Sequence, residues 1–117
     1  MLAGMAMREP TFLILSALAG RTLHGYGLVQ EVEKLSAGRV RLSVGTLYGA
    51  LDRLAEDGLV EVDREEVVDG RLRRYYMLTD HGATVLATEV RRMQHDAKVA
   101  AARLRKRAAA RPGWSAT

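Results

Sequence analysis

One continuous stretch, RVRLSVGTLYGALDRLAEDGLVEVDREEVVDGRLRRYYMLT from Arg39 to Thr79, restricts the fold more than any other part of the chain. Ser43 is a good helix N-cap, because its hydroxyl can accept from an N–H that the first helical turn leaves unpaired. Leu47, Leu51 and Leu54 then recur four and three residues apart, which makes one buried stripe on a helix. Thr46, Tyr48, Gly49, Asp52 and Arg53 fall off that stripe. Gly58 supplies the left-handed position that ends such a helix. The period then switches to two. Leu59-Val60-Glu61-Val62-Asp63 alternates, and so does Arg73-Tyr75-Met77 against Arg74-Tyr76-Leu78. Asp69-Gly70 between these runs is a strong hairpin signal.

Two helices precede this stretch. Pro10 suits a first helical turn, where its missing N–H costs nothing, and Ile14, Leu15 and Leu18 follow at helical spacing up to Gly20. His24-Gly25-Tyr26-Gly27 opens the second, which Ser36-Ala37-Gly38 closes. Its apolar side reads as Tyr26, Val29, Val32 and Leu35, or as Leu28 with its neighbours. Glu31, Glu33 and Lys34 face water. Gly25 and Gly27 suggest close approach of another backbone. The short step from the second helix to the third is that of a helix-turn-helix. The expected fold is mainly α with a small β-hairpin: a winged helix-turn-helix followed by a long C-terminal helix.

Composition narrows the functional classes. There is no cysteine, which removes disulfides, thiol nucleophiles and thiolate metal sites together and fits a reducing, cytoplasmic setting. His24, His81 and His95 share no ligand spacing, so no metal is expected. Neither is a cofactor, since Gly25-x-Gly27 is too short to cradle a dinucleotide. No paired carboxylates, Ser/His/Asp spacing or HExxH motif appears, and the chain is not expected to be an enzyme. The apolar run Thr11 to Ala19 has a superficial likeness to a leader segment, but Glu9 and Pro10 at its edge favour a core helix. No stretch approaches the ~20 apolar residues of a membrane span.

Formal net charge is +4, unevenly distributed. Arg91 to Arg111 contains eight basic residues and one acid, whereas residues 1–90 hold ten basic residues and thirteen acids. Bulk charge therefore does not argue that the helix and ribbon meet DNA; the placement of individual side chains must. The third helix offers Ser43 and Thr46 hydroxyls to phosphate or base edges, Tyr48 to phosphate or sugar, room beside Gly49, and Arg53 to the backbone. The ribbon adds Arg71, Arg73 and Arg74, suited to phosphate or a minor groove, with Arg64 opposite. Glu65, Glu66 and Asp69 share its tip. The rival readings are a solvated hairpin with internal ion pairs and a winged-helix protein-interaction module without DNA binding.

The combination is more specific than its parts. SVGTLYGALDRLAEDGLVE followed by GRLRRYYMLTDHG, with HGYGLVQEVEKLS upstream, resembles the PadR family of bacterial transcriptional regulators. The likeness covers about Thr11 to Gly82, and the short single C-terminal helix is similar to the smaller PadR subgroup. The resemblance implies a homodimer on a palindromic operator that usually represses transcription. It implies that the Ser43 to Arg53 helix enters the major groove, and that the wing around Asp69 to Arg73 meets the flanking minor groove or backbone. It also leaves room for a small-molecule effector, of no identified kind, that binds between protomers and changes the spacing of their readers. One departure is visible: many members carry proline after the tyrosine, where this chain has Gly49.

Dimerisation has independent support. Beyond Thr79 or Asp80, which caps the last helix, Leu86, Val90, Met93, Ala97, Ala100 and Leu104 form a heptad seam of almost three repeats. A helix of this length exceeds what one small domain can cover. Residues 10–79 are thus expected to form the DNA-binding domain and residues 80–111 a dimerisation helix, with 1–9 and 112–117 as flexible tails. The basic run Arg103 to Arg107 suits a helix C-terminus. Trp114, the only tryptophan, falls in the second tail.

Overall fold

The structure is a computed structural model and describes residues 7–111. Trp114 and both chain ends lie outside the described residues. Seven elements follow in order: α1 (Glu9–Gly20), β1 (Leu23–His24), α2 (Gly25–Leu35), α3 (Val44–Glu56), β2 (Val60–Val68), β3 (Arg71–Leu78) and α4 (Asp80–Ala110). They divide into two compact units, one up to Leu86 and one from Ala87.

In the first unit, α1 packs against α2 and β3, and α2 packs against α3. The core is made of Ile14, Leu15 and Leu18 from α1, Leu28 and Val32 from α2, Leu47, Leu51 and Leu54 from α3, with Leu59, Val60 and Tyr76 beneath them. The α2 core face is therefore the one through Leu28. Tyr26 is 64% exposed and Leu35 also faces out. Tyr26, Val29, Gln30 and Glu33 instead line an open groove of about 600 Å³. Both stripes fit a helical period, and only the packing of α1 and α3 decides between them.

The turn between α2 and α3 is tied locally. Buried Ser36 caps α2; its hydroxyl donates to the Glu33 carbonyl at 3.1 Å and accepts from the Val40 N–H at 3.0 Å. Ala37 and Gly38 then take positive φ of 54° and 83°, which reverses the chain. The α3 C-terminus closes as a Schellman motif. The Leu59 N–H donates to the Leu54 carbonyl at 2.9 Å, the Gly58 N–H donates to that of Ala55 at 3.0 Å, and Gly58 holds φ of 76°. Buried Leu59 thus belongs to the cap, and the strand begins at Val60.

The sheet has three strands in the order β1-β3-β2, one more than the expected hairpin. Leu23 and His24 pair with Tyr76 and Tyr75. Two residues are too few for any periodic signal. The hairpin itself is as anticipated: Asp69 and Gly70 both have positive φ, 53° and 74°, the pattern of a type I′ turn. An irregularity between Val62 and Arg64 leaves Asp63 unpaired in the ladder, as in a β-bulge.

The α4 helix is capped by Thr79, whose hydroxyl accepts from the Gly82 N–H at 2.9 Å and donates to the Gly58 carbonyl at 2.6 Å. It continues for 31 residues. Leu86 is buried and Val90 half-buried, while Met93, Ala97, Ala100 and Leu104 are exposed. Glu89 is buried and pairs with Arg92, which also reaches Asp96 at 3.0 Å.

Candidate nucleic-acid interface

The candidate reader is the start of α3. Ser43 accepts from the Thr46 N–H at 3.1 Å, as an N-cap should, and its hydroxyl donates to Thr46 Oγ1 at 2.9 Å. The Ser43 hydroxyl proton is thereby committed within the chain. Exposed Thr46 keeps its own hydroxyl proton to offer outward. Arg53 is exposed and makes no ion pair among the described residues. A Cβ placed on Gly49 would meet only the Arg53 guanidinium, at 3.7 Å. Among the described residues nothing else lies close enough to demand glycine there, so the room it leaves faces outward.

Tyr48 is anchored rather than free. Its ring end lies against Gly25, where a Cβ would collide with the phenol oxygen and stand 2.8 Å from Cζ. The close approach expected at Gly25 is thus a side chain of α3, not another backbone. The contact fixes the ring on the start of α2 and leaves Tyr48 37% exposed. Gly27 makes room for the His24 ring, 3.3 Å from a Cβ placed there.

Strand register sorts the charges of the wing. Glu66 stands opposite Arg73, Glu65 opposite Arg74, and Val67 opposite Leu72. Alternation puts Arg71, Arg73 and Tyr75 on one face of β3, with Leu72, Arg74 and buried Tyr76 on the other. Arg74 is tied to Glu65 at 3.0 Å. Arg64 is held by Glu66 at 2.7 Å and Asp63 at 3.0 Å, with its guanidinium 4.0 Å from the Tyr75 ring centre. Internal ion pairs therefore do occupy part of the hairpin. Arg71 and Arg73 are exposed and make no ion pair among the described residues, and the same holds for Asp69 in the turn. Arg74, expected beside them, is on the opposite face and already neutralised.

His24 was not expected at this site. Its ring tilts against Tyr75 at 5.4 Å between centres, on the face that carries Arg73. Burial lowers its pKa below the ordinary 6.5, and the Arg73 charge lowers it further. The folded chain thus binds this proton less readily than the unfolded chain does. The contribution of His24 is fully present above pH 6.5 and is lost as pH falls through the lowered value. Arg73→Ala is expected to raise the His24 pKa while leaving it under 6.5, because burial is the larger cause. An NMR titration of the imidazole checks this, and an unchanged pKa would contradict the juxtaposition. The signal that could have revealed His24 is its pairing with Tyr75 in β1, which is a long-range contact.

Residues 14–88 match the family described as transcriptional regulator PadR-like. The chain belongs to the PadR-like family. Members of this family are transcriptional regulators, not enzymes. This PadR-like chain is 42% identical over 85 residues to the transcriptional regulator Rv3488 of Mycobacterium tuberculosis, covering 73% of this chain and 76% of that protein. It is 35% identical over 75 residues to the transcriptional regulator YqjI of Escherichia coli, covering 64% of this chain but only 34% of YqjI. In structure it is similar to a PadR family transcription regulator from Clostridium difficile, with a TM-score of 0.69, 25% identity, and coverage of 83% and 99% of the two chains. The fold is also that of Bacillus subtilis PadR, solved in complex with operator DNA, at a TM-score of 0.63 and 21% identity, over 71% of this chain and 48% of that one.

In this PadR-like chain, the winged helix-turn-helix carries Thr46, Tyr48, Gly49 and Arg53 on α3 and the cationic wing residues on β3. The seam residues Leu86 to Leu104 all lie on α4. Among the described residues no group of His, Asp or Glu could hold a metal ion, and no helix is long and apolar enough to cross a membrane.

Proposed function

We propose that this chain is a sequence-specific DNA-binding repressor that acts in the cytoplasm as a homodimer on a palindromic operator. The exposed face of α3 meets the major groove: Thr46 and its neighbours read base edges, while Tyr48 and Arg53 position the helix on the backbone. Arg71 and Arg73 hold the flanking phosphates or minor groove. The heptad seam of α4 joins two copies, and a small molecule seated between them would regulate by changing the spacing of the readers. Residues 10–79 are the reader and residues 80–111 the dimerisation helix.

The observation that carries this reading is the state of the wing arginines. Arg64 and Arg74 are neutralised by neighbours, whereas Arg71 and Arg73 are exposed and make no ion pair among the described residues. Two guanidinium groups with no ion-pair partner among the described residues, in the same unit as a capped polar helix, suit a polyanion. The test is a DNA-binding titration against the chain's own upstream region at several salt concentrations. Wild type is expected to bind with strong salt dependence. Arg71→Ala/Arg73→Ala should lower the slope of log affinity against log salt by about 2. Arg74→Ala should change it little. If the folded wild-type protein retains no DNA at low salt, the interaction-module reading, which the acidic balance of residues 1–90 favours, replaces this one.

A further inference from the structure

Val67 and Leu72 stand opposite each other one pair in from the wing turn, and they are 73% and 62% exposed. They lie on the β3 face opposite Arg71 and Arg73. At the level of Tyr76 that face is buried, but towards the tip no other element of this unit covers it. The charges that share it, Glu65 and Arg74, cancel each other. The wing tip therefore has one cationic face and one apolar, neutral face, joined by the tight Asp69-Gly70 turn. Among the described residues Asp69 is the one acid of the tip without an ion pair, so a positive excess remains.

We propose that Val67 and Leu72 seat against deoxyribose in the wall of the DNA minor groove while Arg71 and Arg73 engage the phosphates. The inference rests on the DNA-binding reading above. The chemistry of the groove matches the two faces. Its rims are phosphate and its walls are sugar C–H surface. The groove is about 6 Å wide, so the side chains of the tip enter and the ribbon itself stays outside. The guanidinium groups hold the tip to the rim by charge, and the apolar pair loses water against the sugars. Charge complementarity selects this occupant over a neutral protein surface. A cross-strand apolar pair also steadies a hairpin, and the test must separate that role from contact with DNA.

The experiment compares wild type with Val67→Thr/Leu72→Thr on a duplex selected by the wild-type protein. Threonine keeps the β-propensity of the strand and removes apolar surface. Retained thermal unfolding and circular dichroism establish that the ribbon still forms. The threonine variant is expected to bind about tenfold more weakly at every salt concentration, with an unchanged salt slope. In hydroxyl-radical footprinting, which attacks deoxyribose hydrogens, it should lose protection of sugars flanking each half-site. Arg71→Ala/Arg73→Ala should instead flatten the salt slope. Wild-type affinity or an unchanged footprint in the folded threonine variant would overturn the proposal while leaving DNA binding intact. Pairing of Val67 and Leu72 with a protein instead would give that same result. Failure of the wild-type chain to select or retain any duplex would remove both readings together.

Discussion

Alanine at Gly82 is expected to cost about 3 kcal/mol of folding stability, near the upper end for overpacking a close contact. A Cβ on Gly82 would collide with the Leu59 carbonyl oxygen, stand 3.0 Å from its carbonyl carbon and lie 2.7 Å from Leu78 Cδ1. A backbone carbonyl cannot rotate away as a side chain can. This one also accepts from the Thr79 N–H at 3.1 Å, and Thr79 caps α4 while bonding Gly58. The methyl group would therefore push on the junction where α3 ends, β2 begins and α4 starts. Chemical denaturation at matched protein concentration is the check. Gly45→Ala is the control: no atom lies within 4 Å of a Cβ there, and the change should stabilise the start of α3 by about 0.5 kcal/mol. A Gly82→Ala protein as stable as wild type would contradict the packing.

The second large effect concerns the α4 seam. If α4 joins two copies as proposed, Met93→Glu/Leu104→Glu should leave a 12.9 kDa particle in place of a dimer and weaken binding to the proposed operator by about 10²–10⁴-fold. Met93 is 42% exposed and Leu104 48% exposed within the protomer, so glutamate at either place disturbs no core. Glutamate is also a good helix former, and α4 should persist. What the change removes is exposed apolar surface that the proposed second copy would cover, replacing it with like charges that would face each other. One reader would then bind one half-site without the effective concentration that a linked twin would supply. Sedimentation of each variant, paired with its DNA titration, separates the two consequences. A double variant that sediments as a dimer would show that the seam lies elsewhere.

The parts of the fold legible in the sequence are those set by neighbours along the chain. Ser43 caps α3 through Thr46, three residues on. Gly58 ends the same helix because a left-handed residue is needed there, and Asp69-Gly70 forms the turn that its dipeptide specifies. Leu47, Leu51 and Leu54 form the buried stripe because α3 has one apolar face. Features that depend on distant partners were not legible. The α2 core face is Leu28 and Val32 rather than Tyr26 and Leu35 because of what packs on it. The β1 strand exists only by pairing with β3. Gly25 is small for the sake of Tyr48, twenty-three residues away.

The candidate site follows the same division. Arg71, Arg73 and Arg74 look equivalent in sequence, yet cross-strand pairing to Glu65 sets Arg74 apart. Ser43 looks available to DNA until its hydroxyl is found on Thr46. Counting charges would not have pointed to the candidate interface, since Arg39 to Thr79 holds seven basic residues against eight acids. Pairing decides which of those charges remain available to a partner.

Whether two copies of this winged helix read one DNA site together is decided by selecting duplexes from a random pool with the purified protein and measuring how many protomers each selected duplex binds. The expected result is enrichment of an inverted repeat with half-sites about one helical turn apart, ~34 Å, occupied by two protomers. A folded protein that enriches no sequence over the starting pool would contradict it.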